Sequence, residues 1–225
     1  MHSYEIEVKS LLTSEEQAEI LIQKMRDSDP QFMALGQHGQ LNHYFTGGCL
    51  KSLFVVLKNH TDPTKRARFE DISTRAKEYS IRTRLADKDV LLVIKASVDD
   101  TSCANGTVRM EFEARMASLA LGQLDEVLIQ SGFAYQAKWS RERREFKYKG
   151  LHVSIDKNAG YGFLAEFEIQ VEDPKVSESA KKRVRSIMKE LDVEELPQDR
   201  LERMFDYYNK NWQHYYGTEN TFNVE

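Results

Sequence analysis

Two cysteines, Cys49 and Cys103, are all that the 225 residues contain. They are too few for a disulfide framework or a thiolate zinc site, and a reducing cytosol is the expected setting. No apolar signal segment opens the chain, because Glu5 and Glu7 interrupt it at once, and no run approaches a membrane span. The six histidines show no metal-ligand spacing, no glycine-rich phosphate loop is present, and no Ser or Cys sits in a nucleophile signature. Internal repeats and low-complexity tracts are missing too. Positive charge is not in excess: the formal net charge is −4, which argues against a non-specific nucleic-acid binder. Hydrophobic residues are 40% and charged residues 30%, so the chain is globular but more charged than average. Its length suits one generous domain, or one domain with an appendage. Any catalysis must rest on carboxylates, lysines and arginines.

What the chain has instead is charge kept in phase. In Glu5-Ile6-Glu7-Val8-Lys9 a two-residue period sends Tyr4, Ile6 and Val8 one way and Glu5, Glu7 and Lys9 the other. An edge strand with a solvated face would explain one such segment. The pattern returns, however, on strand after strand. Arg82 and Arg84 share a face with Ser80 over 78–85, and Lys95 interrupts the apolar return strand 90–97. Arg109, Glu111, Glu113 and Arg115 alternate over 108–115, and Arg141, Arg143 and Glu145 are in phase within 133–148. A strand over 151–155 leads to Asp156, and 163–171 puts Glu166, Glu168 and Gln170 on one face.

Between these strands the periodicity predicts helices. One starts at Thr13 or Ser14 with a capping-box Gln17, carries Ala18, Leu21, Ile22 and Met25 as its stripe, and ends before Asp29-Pro30. Another spans about 117–131 with Leu121, Leu124, Val127 and Leu128, stopped by Gly132. Residues 32–45 read as a pair of short strands or one bent strand, broken at Gly36 and Gly39, and 50–57 leans to helix. The polar stretch 59–78 reads chiefly as a solvated helix or loop inserted between core strands, with a basic lid over a polyanion site as the lesser reading. Residues 99–106 read as a turn-rich loop. Two helices, about 177–191 and 198–212, form a tail, and 217–225 is expected to be loosely held.

These elements predict an α+β fold: a closed, eight-stranded antiparallel β-barrel with a charged interior, its apolar outer faces covered by helices. Residues 1–173 form the barrel domain and 174–225 a helical extension packed on it. Burying so many ions dry costs several kcal/mol for each unpaired one. The interior must therefore be wet, densely paired or filled by a balancing ligand. A linear triphosphate with divalent cations balances it, since Arg and Lys take phosphate oxygens and carboxylates take metal.

Glu5-Ile6-Glu7-Val8-Lys9 matches an ExExK signature. In the same order follow Arg82-Thr83-Arg84, Lys95, Glu111 and Glu113, Arg141-Glu142-Arg143, Asp156, and Phe163-Leu164-Ala165-Glu166-Phe167-Glu168. This set resembles the CYTH proteins of the triphosphate tunnel metalloenzymes over about residues 3–173, and the stretch 191–208 looks like the C-terminal helices of bacterial members. Arg141 stands where many relatives carry Lys, and Phe146 where many carry Tyr. The resemblance implies that Glu5, Glu7, Asp156, Glu166 and Glu168, with Glu113, hold one or two Mg²⁺ or Mn²⁺ ions. It implies that Lys9, Arg82, Arg84, Lys95, Arg141 and Arg143 grip a small triphosphate, with Lys9, Arg84 and Lys95 in catalytic roles. Water would attack the terminal phosphorus in line, and Lys9 would help activate it if its neighbours depress its pKa. Metal-dependent triphosphate hydrolysis is the activity so implied. An adenylyl cyclase of the class IV type and a non-catalytic polyphosphate- or nucleotide-binding module remain alternatives. Trp139, Tyr44 and Phe45 read mostly as core or rim residues, with base stacking the lesser reading. Neither nucleic acid nor membrane is an expected partner, and a homodimer is left open.

Overall fold

Side-chain pattern and capping set the elements of the computed structural model, which describes residues 4–97 and 109–225. β1 (Tyr4–Leu12) runs into α1 (Glu15–Ser28), whose start is fixed by Ser14 Oγ accepting from the Gln17 amide at 3.2 Å. β2 (Met33–Gly47) is one continuous 15-residue strand. Gly36 and Gly39 lie in open space with no atom near their missing Cβ, so they run straight through it and break nothing. Then come α2 (Leu50–Leu57), α3 (Pro63–Arg75), β3 (Glu78–Ala86), β4 (Asp89–Ser97) and β5 (Arg109–Arg115). α4 (Leu121–Gln130), β6 (Phe133–Tyr148), β7 (Leu151–Asn158), β8 (Gly162–Val171), α5 (Ser177–Glu190) and α6 (Gln198–Asn211) complete the chain. The loop expected over 99–106 lies outside the described residues. Among the described residues, no helix is long and apolar enough to cross a membrane.

The eight strands are antiparallel and hydrogen-bond in the order β1-β8-β7-β6-β2-β3-β4-β5. Among the described residues β1 pairs only with β8, and β5 only with β4. The fold is α+β as expected, but among the described residues the sheet does not close, so the closed barrel is not supported. Closure requires a second partner for each strand. β5 is a seven-residue edge carrying exposed Glu111, Glu113 and Arg115, the short charged kind of edge that resists further pairing.

Two compact units divide the chain, Met1–Gly39 with Ser140–Glu225, and Gln40–Trp139. In the first, α1 and α5 bury their stripes on one face of the strands. Ala18, Leu21, Ile22 and Met25 meet Val8, Phe146, Val153, Ile155 and Phe167, joined by Val184, Ile187 and Met188 of α5. Phe146 stacks on Phe32 with centroids 5.5 Å apart, so this ring belongs to the apolar side and a hydroxyl there would point into the core. In the second, Leu53 and Leu57 of α2, Phe69 and Ile72 of α3, and Leu124 and Leu128 of α4 cover Ile81, Leu92, Ile94 and Phe112. In each unit the other strand face is left to charged and polar side chains.

Two expectations change here. α3 is neither a solvated insertion nor a lid: Phe69 is fully buried and stacks on Phe112 at 4.7 Å, while Arg68 and Arg75 pair outside with Asp71. The end of the chain is tied down as well. Phe222 packs among Tyr161, Tyr207, Tyr208 and Tyr215, its amide donates to Gly160 O at 2.8 Å, and Arg200 Nε donates to Val224 O at 2.9 Å. Gly160 (φ +83°) is required there, because a Cβ would stand 2.8 Å from the rings of Phe222 and Tyr208.

Candidate functional site

Strand register assembles the charged face of the first unit. Glu7 lies opposite Glu168, and Lys9 opposite Glu166, in the β1–β8 ladder. Ser154 faces Glu166 and His152 faces Glu168 between β7 and β8, while Arg143 faces Asp156 between β6 and β7. Lys9 Nζ stands 2.5 Å from Glu7 Oε1 and 3.2 Å from Glu166 Oε1. Arg143 forks onto Asp156, Nε to Oδ1 at 2.7 Å and Nη2 to Oδ2 at 2.6 Å, and its Nη2 also donates to Glu166 Oε2 at 2.8 Å. Arg141 Nη1 adds a bond to Asp156 Oδ2 at 2.9 Å. Asp156 is wholly buried, and such a carboxylate persists only because two guanidinium groups saturate it.

The electrostatics of this network are one-sided. Burial would raise the Glu166 pKa, but Lys9, Arg143 and Arg141 outweigh it and hold the carboxyl down at about 2. Burial would lower that of Lys9, but Glu166 and Glu7 prevail and raise it. The condition under which Lys9 would help activate water, a pKa depressed by its neighbours, is therefore not met. Arg143 is likewise raised, with burial outweighed by Asp156 and Glu166.

The second unit carries a parallel set. Arg84 Nε donates to Asn42 Oδ1 at 2.9 Å and its Nη1 to Glu113 Oε2 at 3.3 Å. Lys95 Nζ is 2.6 Å from Glu111 Oε1. Arg82 donates to the Tyr44 hydroxyl and lies 5.3 Å from that ring's centroid. On the opposite face Asp125 of α4 knots the strands together. It accepts from Thr83 Oγ1 at 2.6 Å and the Tyr135 hydroxyl at 2.7 Å, and lies 2.6 Å from His43 Nδ1. Burial would raise the Asp125 pKa, and the hydrogen bonds from His43, Thr83 and Tyr135 lower it.

Thus Glu7, Lys9, Arg141, Arg143, Asp156, Glu166 and Glu168 share one face of the first unit, and Arg82, Arg84, Lys95, Glu111 and Glu113 one face of the second. Glu5 faces Gln170 in the ladder, and its side chain lies outside the described residues. Sequence reasoning passed over Asn42 as an Arg84 partner and Ser154 and His152 as members of the polar face. The signal was there: 152, 154 and 156 repeat with a period of two.

Carboxylate oxygens are the donors that hard divalent ions take. Like charges placed directly opposite each other destabilise a strand pair, and Glu7 and Glu168 are so placed. A cation between them removes the conflict, so this donor set fits Mg²⁺ or Mn²⁺. Among the described residues no three of His, Cys, Asp and Glu gather to hold an ion unaided. That suits an ion held by one or two carboxylates and completed by water and phosphate oxygens.

The fold and site define a sheet protein with helices on its apolar faces and dense ion pairing on the other. The family model for the CYTH domain matches residues 3–200, and the chain belongs to that family. No curated protein matches it in sequence. Among solved structures, it is similar to a conserved hypothetical protein from Pyrococcus furiosus (20% identity, 84% of this chain and 94% of that one, TM-score 0.55). A Pyrococcus horikoshii protein matches at 20% identity over 87% of this chain and 94% of its own, with TM-score 0.56. A proposed adenylate cyclase from Vibrio parahaemolyticus matches at 11% identity over 92% of this chain and 99% of its own, with TM-score 0.57. At such identities the likeness is one of fold.

Proposed function

We propose that the protein is a divalent-metal-dependent triphosphatase, acting on inorganic triphosphate or a small organic or nucleoside triphosphate. The observation that carries this reading is the face where Lys9, Arg141 and Arg143 meet Glu7, Asp156, Glu166 and Glu168. Arg141 and Arg143 supply guanidinium donors suited to phosphate oxygens, and Lys9 a point charge. On the second unit Arg82, Arg84 and Lys95 offer donors of the same kind. Glu7 and Glu168, with Glu5, Glu166 and Asp156 as further candidates, would hold Mg²⁺ or Mn²⁺, which supplies charge neutralisation and an ordered water when bound.

Each side chain then has a task of its own. Asp156 and Glu166 take Nε and Nη2 of Arg143 and so fix its guanidinium plane, which orients the remaining Nη1 before substrate arrives. Lys9, protonated throughout the neutral range by its two carboxylate neighbours, stabilises negative charge as it builds on the leaving oxygen. Water activation falls to a carboxylate rather than to Lys9. The test is a panel of inorganic triphosphate, thiamine triphosphate and ATP with Mg²⁺ or Mn²⁺, scored for phosphate, pyrophosphate and cyclic AMP. Phosphate released from a triphosphate only with the metal supports the assignment. Pyrophosphate with cyclic AMP from ATP would move it to the cyclase, and binding without turnover to a binding module.

A further inference from the structure

β2 and β3 are neighbours in the sheet, yet α2 and α3 lie between them in the chain, so no tight turn sets their register. Side chains must pin it. His43 and Thr83 are direct cross-strand partners, in phase with the core residues Phe45 and Ile81 on the face that the helices cover. Asp125 of α4 takes both of them. Thr83 Oγ1 donates to its Oδ1 at 2.6 Å, and His43 Nδ1 lies 2.6 Å from its Oδ2. Tyr135 of β6 donates to that second oxygen at 2.7 Å. Leu124 and Leu128, both fully buried, seat the helix that carries this carboxylate.

The register so pinned is the one that builds the charged face on the other side. Asn42 stands opposite Arg84, and Tyr44 opposite Arg82. Arg84 Nε donates to Asn42 Oδ1 at 2.9 Å, and Arg82 Nη1 donates to the Tyr44 hydroxyl. A slip of one residue would turn these side chains towards the helices, and a slip of two would part both pairs. We infer that Asp125 is a positioning residue: from the far side of the sheet it fixes the β2–β3 pairing that aims Arg82 and Arg84 at a triphosphate. The inference rests on the proposed reading of those arginines as phosphate donors.

The test measures inorganic triphosphate binding to the full chain by calorimetry without metal, and KM and kcat for phosphate release with Mg²⁺. Asp125→Ala, Thr83→Val and Asn42→Ala are compared singly, and each of the first two is combined with the third. Leu128→Ala, one turn along the same helix, is the control for lost stability alone. Asp125→Ala should weaken binding about tenfold, mostly as a rise in KM, and its effect should not add to that of Asn42→Ala. Thr83→Val should weaken binding about threefold while Thr83→Ser, which keeps the hydroxyl, should not. Leu128→Ala should lower the thermal midpoint and leave affinity unchanged. Wild-type affinity in the Asp125 and Thr83 variants, an equal loss in Leu128→Ala, or losses that add to Asn42→Ala would overturn the role of Asp125. The near-isosteric Thr83→Val decides the matter if Asp125→Ala does not fold. Failure of the underlying reading looks different: the wild type itself neither binds nor cleaves triphosphate, and the inference falls with it.

Discussion

Glu7 stands directly across the β1–β8 ladder from Glu168. Lys9 reaches Glu7 and Glu166, and among the described residues Glu168 has Gln170 at 3.5 Å and His152 at 4.0 Å beside it. The pair is therefore short of positive charge at Glu168. A divalent cation that binds the folded chain alone adds about 2.7 kcal/mol at a hundredfold excess over Kd. For a chain of this size that is a rise of roughly 5–10 °C in the thermal midpoint. Thermal melts with and without Mg²⁺ or Mn²⁺ check it, and Glu168→Gln should abolish the rise. A midpoint indifferent to both ions would count against a cation at this position.

Acid should attack the same network through Glu166. Its pKa in the folded protein is about 2 against an ordinary 4.5, since Lys9, Arg143 and Arg141 overcome the effect of burial. A carboxyl depressed on folding adds stability above its unfolded pKa and loses it as the pH falls towards the folded one. The wild type should thus lose this contribution between about pH 4.5 and about 2, and Glu166→Gln should lose less there. Urea unfolding at a series of pH values measures the difference. Parallel curves for the two proteins would show that Glu166 is not held as described.

Removing Arg143 should be costly twice over. Asp156 has no exposed side-chain surface. Arg143→Ala leaves it with Arg141 alone, and breaking a buried pair in this way costs about 3–5 kcal/mol. The variant, studied where it remains folded, should also bind inorganic triphosphate far more weakly. Calorimetric titration checks this, and unchanged affinity would remove Arg143 from the proposed clamp.

Much of this was legible in the residues themselves. The limits of β6 fall where sequence places them, because Gly132 (φ +86°) and Gly150 (φ +76°) punctuate both ends. The opening acid–base alternation correctly marks Glu7 and Lys9 as neighbours on one face. The failures have physical causes. Two apolar residues, Phe69 and Ile72, anchor α3, too few to stand out as a stripe amid its charges. Asp125 stands beside Glu126 in an amphipathic helix, where it reads as solvated, and nothing local reveals that Thr83, Tyr135 and His43 wait to satisfy it. The tail lacks a helical or strand period, yet Phe222 finds four aromatic rings that only the folded chain brings together. Barrel closure depends on the free edges of β1 and β5, and edge pairing leaves no mark in strand periodicity.

The most direct measurement is phosphate release from inorganic triphosphate with Mg²⁺ by the wild type and by Glu7→Ala, each first shown to be folded by circular dichroism. The account predicts release by the wild type that chelation stops, and none from the variant. Equal release by both, or release that survives the chelator, would contradict it.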